Sequence, residues 1–277
     1  MTTHALAPNS CRHRWLATPW RIARTLWRND ARLTAFALLL VALMLPATLA
    51  MGLDDRVLRG VNVWVKPLKF MSSIAVLALT TAWFIGHLHR ERRGSRAVSV
   101  IVWTVIGSGA FELAYITWQA GLGQGSHFNV GDPLHATMYM LMGIGALALT
   151  ATQPALAWQL ARHGERTLPS AYRLAVLLGL TLTFVLGAAA GMVLSSTQPP
   201  TGAGLPLFGW SRIGGDFRVA HFIGIHTEQV LPLFGTALAA WQVRAGRAWV
   251  VAAALVWSGL FVMAFVQALR GLPLLGL

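Results

Sequence analysis

Residues 33–51, LTAFALLLVALMLPATLAM, decide the fold class, because these 19 residues contain no charged side chain. A helix of that length rises about 28 Å, close to the thickness of the hydrocarbon core of a bilayer. The run is too long for the apolar core of a cleaved signal peptide. It therefore predicts a first transmembrane helix.

The segment before this run predicts which side of the membrane holds the N-terminus. Residues 1–32 contain six arginines and no lysine. Pro19 suits a first helical position, and Trp20 and Trp27 then recur at helical spacing on the face opposite Arg21 and Arg28. We expect residues 1–32 to form a cytoplasmic basic segment with a short amphipathic helix lying on the inner leaflet.

The overall composition agrees with a membrane protein. Hydrophobic residues make up 56% of the chain and charged residues only 11%, less than half of the share in soluble domains. The net charge of +13 comes from short basic clusters between apolar segments, which is typical of membrane topology and excludes a nucleic-acid partner. The single Cys11 excludes an intramolecular disulfide.

Six further apolar runs of membrane-spanning length follow the first, so we predict an all-α integral membrane protein with seven transmembrane helices in one domain, residues 33–277. With the N-terminus cytoplasmic and the C-terminus outside, the inner segments hold 15 basic residues and the outer segments 7. This bias is typical of a multi-pass protein of a bacterial-type inner membrane. The six runs are approximately residues 68–88, 97–121, 134–160, 171–195, 219–243 and 248–269.

Two predicted outer loops, residues 121–133 and 197–217, are rich in glycine and proline but also contain large apolar residues. Phe128 lies in the first loop, and Phe208 and Trp210 lie in the second. Apolar side chains in a loop indicate packing against the rest of the protein. We expect both loops to act as lids over the helices.

Polar residues in the third predicted span share one face of the helix. Ser108, Glu112, Tyr115 and Gln119 follow a spacing of four, three and four residues, which places them on a single stripe. A glutamate at this depth would be costly against lipid, so the stripe must face protein or water.

The stretch GGDFRVAHFIGIHTEQVLP, residues 214–232, runs from a glycine-rich loop into the outer half of the sixth predicted span, where it places His221, His226, Glu228 and Gln229. On a regular helix His221 and Glu228 nearly superpose, whereas His226 lies about 140° from His221. The two histidines therefore cannot chelate one ion from a regular helix. Ionisable groups at this depth indicate a functional site, and Gln229 borders the same polar face.

Glu112 and Glu228 each lie nine residues from the outer end of their predicted spans, about 13 Å deep. Two carboxylates at matched depth on inward faces could meet and share a proton or a cation. With His226 they form the predicted acid–base or metal-binding core, and His135 and His221 are candidate metal or haem ligands nearer the surface. The pocket residues expected around them are Ser108, Tyr115, Gln119, His127, Gln229, Lys69 and Gln267.

Three classes of function fit this pattern. The first is a membrane-embedded enzyme, or a redox protein with a bound metal or haem, that acts on a lipophilic substrate or quinone through an outward-open polar pocket. The second is a proton- or cation-coupled carrier of a small solute, with the two glutamates as the coupling pair. The third is an assembly subunit in which the polar residues join helices. The expected partners are the bilayer and one small molecule, and the sequence leaves open whether the protein forms a homo-oligomer.

Overall fold

The structure is a computed structural model that describes residues 19–201, 204–205 and 209–273. Within these ranges it is all-α apart from one short antiparallel hairpin. Two consecutive helices, residues 217–225 and 227–240, meet at His226. The elements are α1 Pro19–Asn29, α2 Ala31–Leu53, β1 Val57–Leu58, β2 Val61–Asn62, α3 Val65–Ile85, α4 Arg96–Gly121, α5 Pro133–His163, α6 Ser170–Ser196, α7 Phe217–Ile225, α8 Thr227–Ala240 and α9 Gly246–Leu269.

Six of these helices are long and apolar enough to cross a membrane: α2, α3, α4, α5, α6 and α9. Their surfaces expose large apolar side chains such as Leu45, Leu49 and Trp118, which a bilayer would cover. The prediction of an all-α, multi-pass membrane protein is confirmed. The orientation of the helices in the membrane stays a prediction, and the words outer and inner name the two ends of the bundle according to it.

The prediction of one regular helix for residues 219–243 is wrong, because His226 separates α7 from α8 with φ −92° and ψ 5°. The hydroxyl of Thr227 donates to the carbonyl of Gly224 at 2.8 Å, and the indole of Trp257 donates to the carbonyl of Ile223 at 3.0 Å. These side chains satisfy carbonyls at the break, where side-chain insertion is a known cause of kinks. A seventh crossing would therefore consist of two half-helices.

Helix α6 lies at the centre of the bundle, since it packs against α5 and against α7, α8 and α9. Its Gly179 allows the break to come close: a Cβ there would lie 3.2 Å from the carbonyl oxygen of Thr227 and 3.3 Å from Cα of Glu228. The main apolar core is formed on the other side by α2, α3 and α4 with the inner ends of α5 and α6.

The first described helix is α1, Pro19–Asn29, and its amphipathic, membrane-surface character stays a prediction. Only Leu26 of this helix is buried, while Trp20 is 70% exposed and Trp27 is 51% exposed. The side chain of Asn29 fills the space in front of Gly86 on the loop after α3. The helix itself is therefore present, and its position on the inner leaflet stays a prediction; residues 1–18 lie outside the described residues.

At the inner end, two loops are joined around a half-buried histidine. Nε2 of His87 lies 2.8 Å from the hydroxyl of Tyr172, and the amide of Glu165 donates to the carbonyl of His87. Burial lowers the pKa of His87 to about 4, and the charge of Arg93 acts in the same direction. His87 is therefore neutral when the loops are packed together at neutral pH.

At the outer end, the hairpin of β1 and β2 holds neighbouring loops. Arg56 donates to the carbonyl of Gly121 at the end of α4, and Arg59 donates to the carbonyl of Pro199 after α6. Arg56 and Trp64 both donate to the carboxylate of Asp54, and these bonds hold its pKa well below the ordinary value. The hairpin thus contacts both of the loops expected to be lids.

Candidate functional site

Buried and half-buried polar side chains gather in two places. We call the first the outer cluster; it consists of Lys66 on α3, Glu112 on α4, and Ser126 and His127 on the loop between α4 and α5. We call the second the break cluster, because it surrounds the junction of α7 and α8. The break cluster comprises Thr80, Thr183, His226, Glu228 and Gln229.

Lys66 connects the members of the outer cluster. It is the second residue of α3, and its Nζ donates to Oγ of Ser126 at 2.8 Å. The ammonium lies 5.8 Å from the ring centroid of Phe70, one turn further along the helix, which is a cation–π contact. Lys66 is also attracted electrostatically to Glu112.

The loop of residues 122–132 folds inward and carries Ser126 and His127 with it. The amide of Gln124 donates to the carbonyl of Gln119, which turns the chain back over α4. Phe128 has φ +58°, a left-handed conformation that is costly for a non-glycine residue. Ring contacts offset that cost, because Phe128 packs against Tyr139 of α5 at 5.4 Å. Ser126 is only 4% exposed as a result.

The imidazole of His127 is enclosed by aromatic rings. Its centroid lies 6.0 Å from Phe70 and 5.6 Å from Tyr139, and its Nδ1 lies 3.3 Å from Oγ of Ser126. Burial lowers the pKa of His127 to about 3, and the charge of Lys66 contributes to the decrease. A neutral imidazole can therefore hydrogen-bond to the serine across the physiological pH range.

Glu112 is 6% exposed, and its Oε1 has no hydrogen-bond partner among the described residues. Gly145 of α5 faces it, and a Cβ at that position would lie 3.6 Å from Oε1. Gln119 is buried on the same side of α4 and also has an oxygen without a partner. The half-buried Tyr115 lies close enough to Gln119 to interact with it, and Ser108 is half-buried as well.

The break cluster surrounds Glu228, which is 1% exposed. Its backbone amide lies just past the break and donates to Oγ1 of Thr183 on α6 at 2.8 Å. Its Oε1 accepts from Nε2 of Gln229 at 2.8 Å, while Oε2 has no partner within the described chain. Gln229 also lies 3.2 Å from Nδ1 of His226 and 3.3 Å from Thr80 of α3.

The two predicted carboxylates have different neighbours. Glu112 interacts with Lys66, whereas Glu228 interacts with Gln229 and Thr183. No hydrogen bond or ion pair joins the two glutamates in the ranges that the structure describes. Both side chains are closed off from solvent, so the outward-open form of the pocket stays a prediction.

The other predicted site residues lie apart from these clusters or at their edges. His135 binds the carboxylate of Asp132 at the start of α5, and Nδ1 of His221 lies 3.2 Å from the carbonyl oxygen of Gly187. Gln267 donates to the carbonyl of Pro273, and Nζ of Lys69 lies near Gly209 in the second outer loop.

Metal binding by the predicted residues gains no support from their positions. Glu112 belongs to the outer cluster, while His226 and Glu228 belong to the break cluster. Across the described residues, no three His, Cys, Asp or Glu side chains come together in an arrangement that could hold a metal ion. The metal and haem roles assigned to these residues therefore stay predictions.

Lys66 and Ser126 were missed as site residues, although they form the shortest polar contact of the outer cluster. They are separated by 60 residues, so no spacing in the sequence links them. The available signal was the loop GLGQGSHFNVGDP, in which Ser126 directly precedes the predicted pocket residue His127.

Comparison with known proteins gives no relative from which a function could be transferred. No protein family, no curated protein and no solved structure matches this chain.

Proposed function

We propose that this protein is a membrane-embedded enzyme that acts on a lipophilic substrate from the outer face, with the outer cluster as its acid–base site. One observation carries the proposal: Lys66 of α3 hydrogen-bonds to Ser126 of the loop between α4 and α5, Ser126 contacts His127, and Glu112 of α4 lies within electrostatic range of Lys66. Buried ionisable and nucleophilic groups that converge in this way are the usual components of an active site.

The position of the cluster suits a substrate that arrives from the bilayer. Lys66 begins α3, and Ser126 follows the end of α4, so both lie at the outer ends of their helices. The rings of Phe70 and Tyr139 provide an apolar wall beside them. A lipid or another lipophilic molecule could place its polar head group at the cluster while its apolar part stays in the membrane.

Access to the cluster requires the loop of residues 122–132 to move, because Ser126 and Glu112 are almost completely buried. Gly123 with φ +70° and Gly125 lie between α4 and Ser126 and allow such a movement. We expect substrate binding to displace the rings of His127 and Phe128 from Tyr139. Closure would then exclude water from the reaction.

Substrate turnover tests the proposal. The purified full-length protein is reconstituted in liposomes made from a total lipid extract, and the lipids are followed by mass spectrometry. We expect the wild type to convert at least one lipid species and Glu112→Gln to lose about 100-fold or more of the rate. Glu91→Gln, at the inner end of the protein, is the matched control and should retain the wild-type rate. Equal rates for the wild type, Glu112→Gln and empty liposomes would exclude the outer cluster as an enzymatic site.

A proton-coupled carrier is the second candidate, and the interrupted helix favours it. Carriers often bind solutes where a membrane helix is broken, and here Glu228 has an unpaired oxygen immediately after such a break. Uptake of a solute driven by a pH gradient should then be lost in Glu228→Gln and kept in Glu112→Gln. Uptake that is the same in both variants and in the wild type would remove this candidate.

A further inference from the structure

We infer that Ser126 is a nucleophile activated by Lys66, so that the outer cluster transfers acyl groups from an ester or amide of a lipophilic molecule. The inference rests on the proposed function for the membrane-facing position of the site, and it adds the reaction class and the substrate class. Pairs of serine and lysine are an established alternative to the catalytic triad.

The geometry assigns the role of base to Lys66. Oγ of Ser126 has two nitrogen neighbours, Nζ of Lys66 at 2.8 Å and Nδ1 of His127 at 3.3 Å. A general base works best when its pKa lies near the working pH, and the pKa of His127, about 3, is far too low. The imidazole therefore orients the hydroxyl, and Lys66, which is closer, accepts its proton.

The surroundings of Lys66 allow it to change its protonation state. The side chain is half-buried, with its ammonium beside the ring of Phe70 and hydrogen-bonded to Ser126 of the loop, so protein groups replace part of its water shell. The ionisable groups that face it are Glu112 from α4 and His127 from the loop.

The reaction balances without an oxidant or a cofactor. Neutral Lys66 takes the hydroxyl proton of Ser126, Oγ bonds to the acyl carbon, and the bond from that carbon to the alcohol or amine breaks. The leaving group takes the proton from Lys66. Water then donates a proton to Lys66 and its oxygen bonds to the acyl carbon, after which Oγ leaves and recovers the proton. The products are a carboxylic acid and an alcohol or amine.

Covalent labelling with a long-chain alkyl fluorophosphonate, which phosphonylates activated serines, tests the inference. The full-length protein in lipid nanodiscs is treated with the probe, and the modified residue is located by peptide mass spectrometry. We expect labelling at Ser126, none in Ser126→Ala, and labelling about 100-fold slower in Lys66→Met. Ser72→Ala on α3 and Arg59→Met on the outer hairpin are matched controls that should be labelled at the wild-type rate.

The pH profile separates activation from a structural role of Lys66. Labelling should increase with pH in the wild type, because a base becomes free next to Ser126, and should stay slow and nearly independent of pH in Lys66→Met. A lysine that only supports the loop would give the two proteins the same pH profile.

Phe128→Gly serves as a second variant in case the closed loop keeps the probe from reaching Ser126. It removes the ring that packs on Tyr139 and relieves the positive φ, so labelling should be faster. Absence of label on Ser126 in both the wild type and Phe128→Gly, between about pH 7 and about pH 10, would overturn the inference. Lipid turnover that persists in Ser126→Ala would overturn the role of Ser126 as nucleophile but would leave the proposed enzymatic function in place. If the wild type converts no lipid, the proposed enzymatic function itself is excluded.

Discussion

Protonation of His127 should open the loop of residues 122–132. Burial lowers the pKa of this histidine to about 3 in the closed loop, whereas a solvated imidazole has a pKa of about 6.5. The closed loop therefore binds fewer protons than the open loop. The stability that His127 gives to the closed loop is complete above about pH 6.5 and decreases as the pH falls towards about 3.

The size of this effect follows from the two pKa values. When the pH falls from 8 to 5, proton binding to His127 stabilises the open loop but hardly affects the closed loop. The free-energy difference between the two loops changes by about 2 kcal/mol in favour of the open loop. The ratio of closed to open loop should fall about 30-fold. The result depends little on the lower pKa, because that value lies well below pH 5.

Hydrogen–deuterium exchange of the peptide that contains residues 122–132 measures this equilibrium, once the exchange rates are corrected for the chemical effect of pH. His127→Phe keeps an aromatic ring between Phe70 and Tyr139 but cannot be protonated, so its loop should stay protected at pH 5. His89→Gln, at the inner end, is the matched control and should behave as the wild type. Loop protection that falls equally in the wild type and in His127→Phe would show that protonation of His127 does not open the loop.

Three further predictions concern stability in detergent micelles. Gly179→Ala should lower the free energy of unfolding by about 1–3 kcal/mol, because its Cβ would press on the backbone of α8, whereas Gly259→Ala, with open space around it, should not; denaturant titration compares the two. Thr183→Val should cost about 1–3 kcal/mol in the same titration, because it leaves a buried amide at the break without its acceptor; an unchanged midpoint would contradict this. The pKa of His87, about 4, lies below the ordinary value, so the wild type loses stability as the pH falls from 8 to 5. We expect His87→Gln to lose about 2 kcal/mol less of its unfolding free energy than the wild type over this range. The same pH dependence in both proteins would argue against this prediction.

The sequence was sufficient to predict most of the architecture. Runs of about 20 apolar residues have one low-energy arrangement in a bilayer, so six of the seven predicted spans are present as long helices. The break at His226 was not predictable from periodicity, because it depends on contacts with other helices. Trp257 on α9 and the close approach to Gly179 on α6 belong to distant parts of the chain.

The candidate site was predicted in its residue types more than in its arrangement. Helical spacing placed Glu112 and Gln119 on one face of α4, and both are buried there. Matched depth alone suggested that Glu112 would meet Glu228, but depth does not fix which neighbours a helix has. Glu112 instead lies within electrostatic range of Lys66, with no salt bridge between them, and the positive-inside pattern treats Lys66 only as a basic residue at the membrane boundary.

The most direct test of the outer cluster as the active site is the turnover number of Lys66→Met, measured on the lipid species that the wild type converts. Arg59→Met provides the comparison, since it removes a positive charge from the same outer face without altering the cluster. We predict that kcat falls about 100-fold or more in Lys66→Met and changes less than about threefold in Arg59→Met. A Lys66→Met protein that folds, binds the lipid and keeps the wild-type kcat would contradict the account.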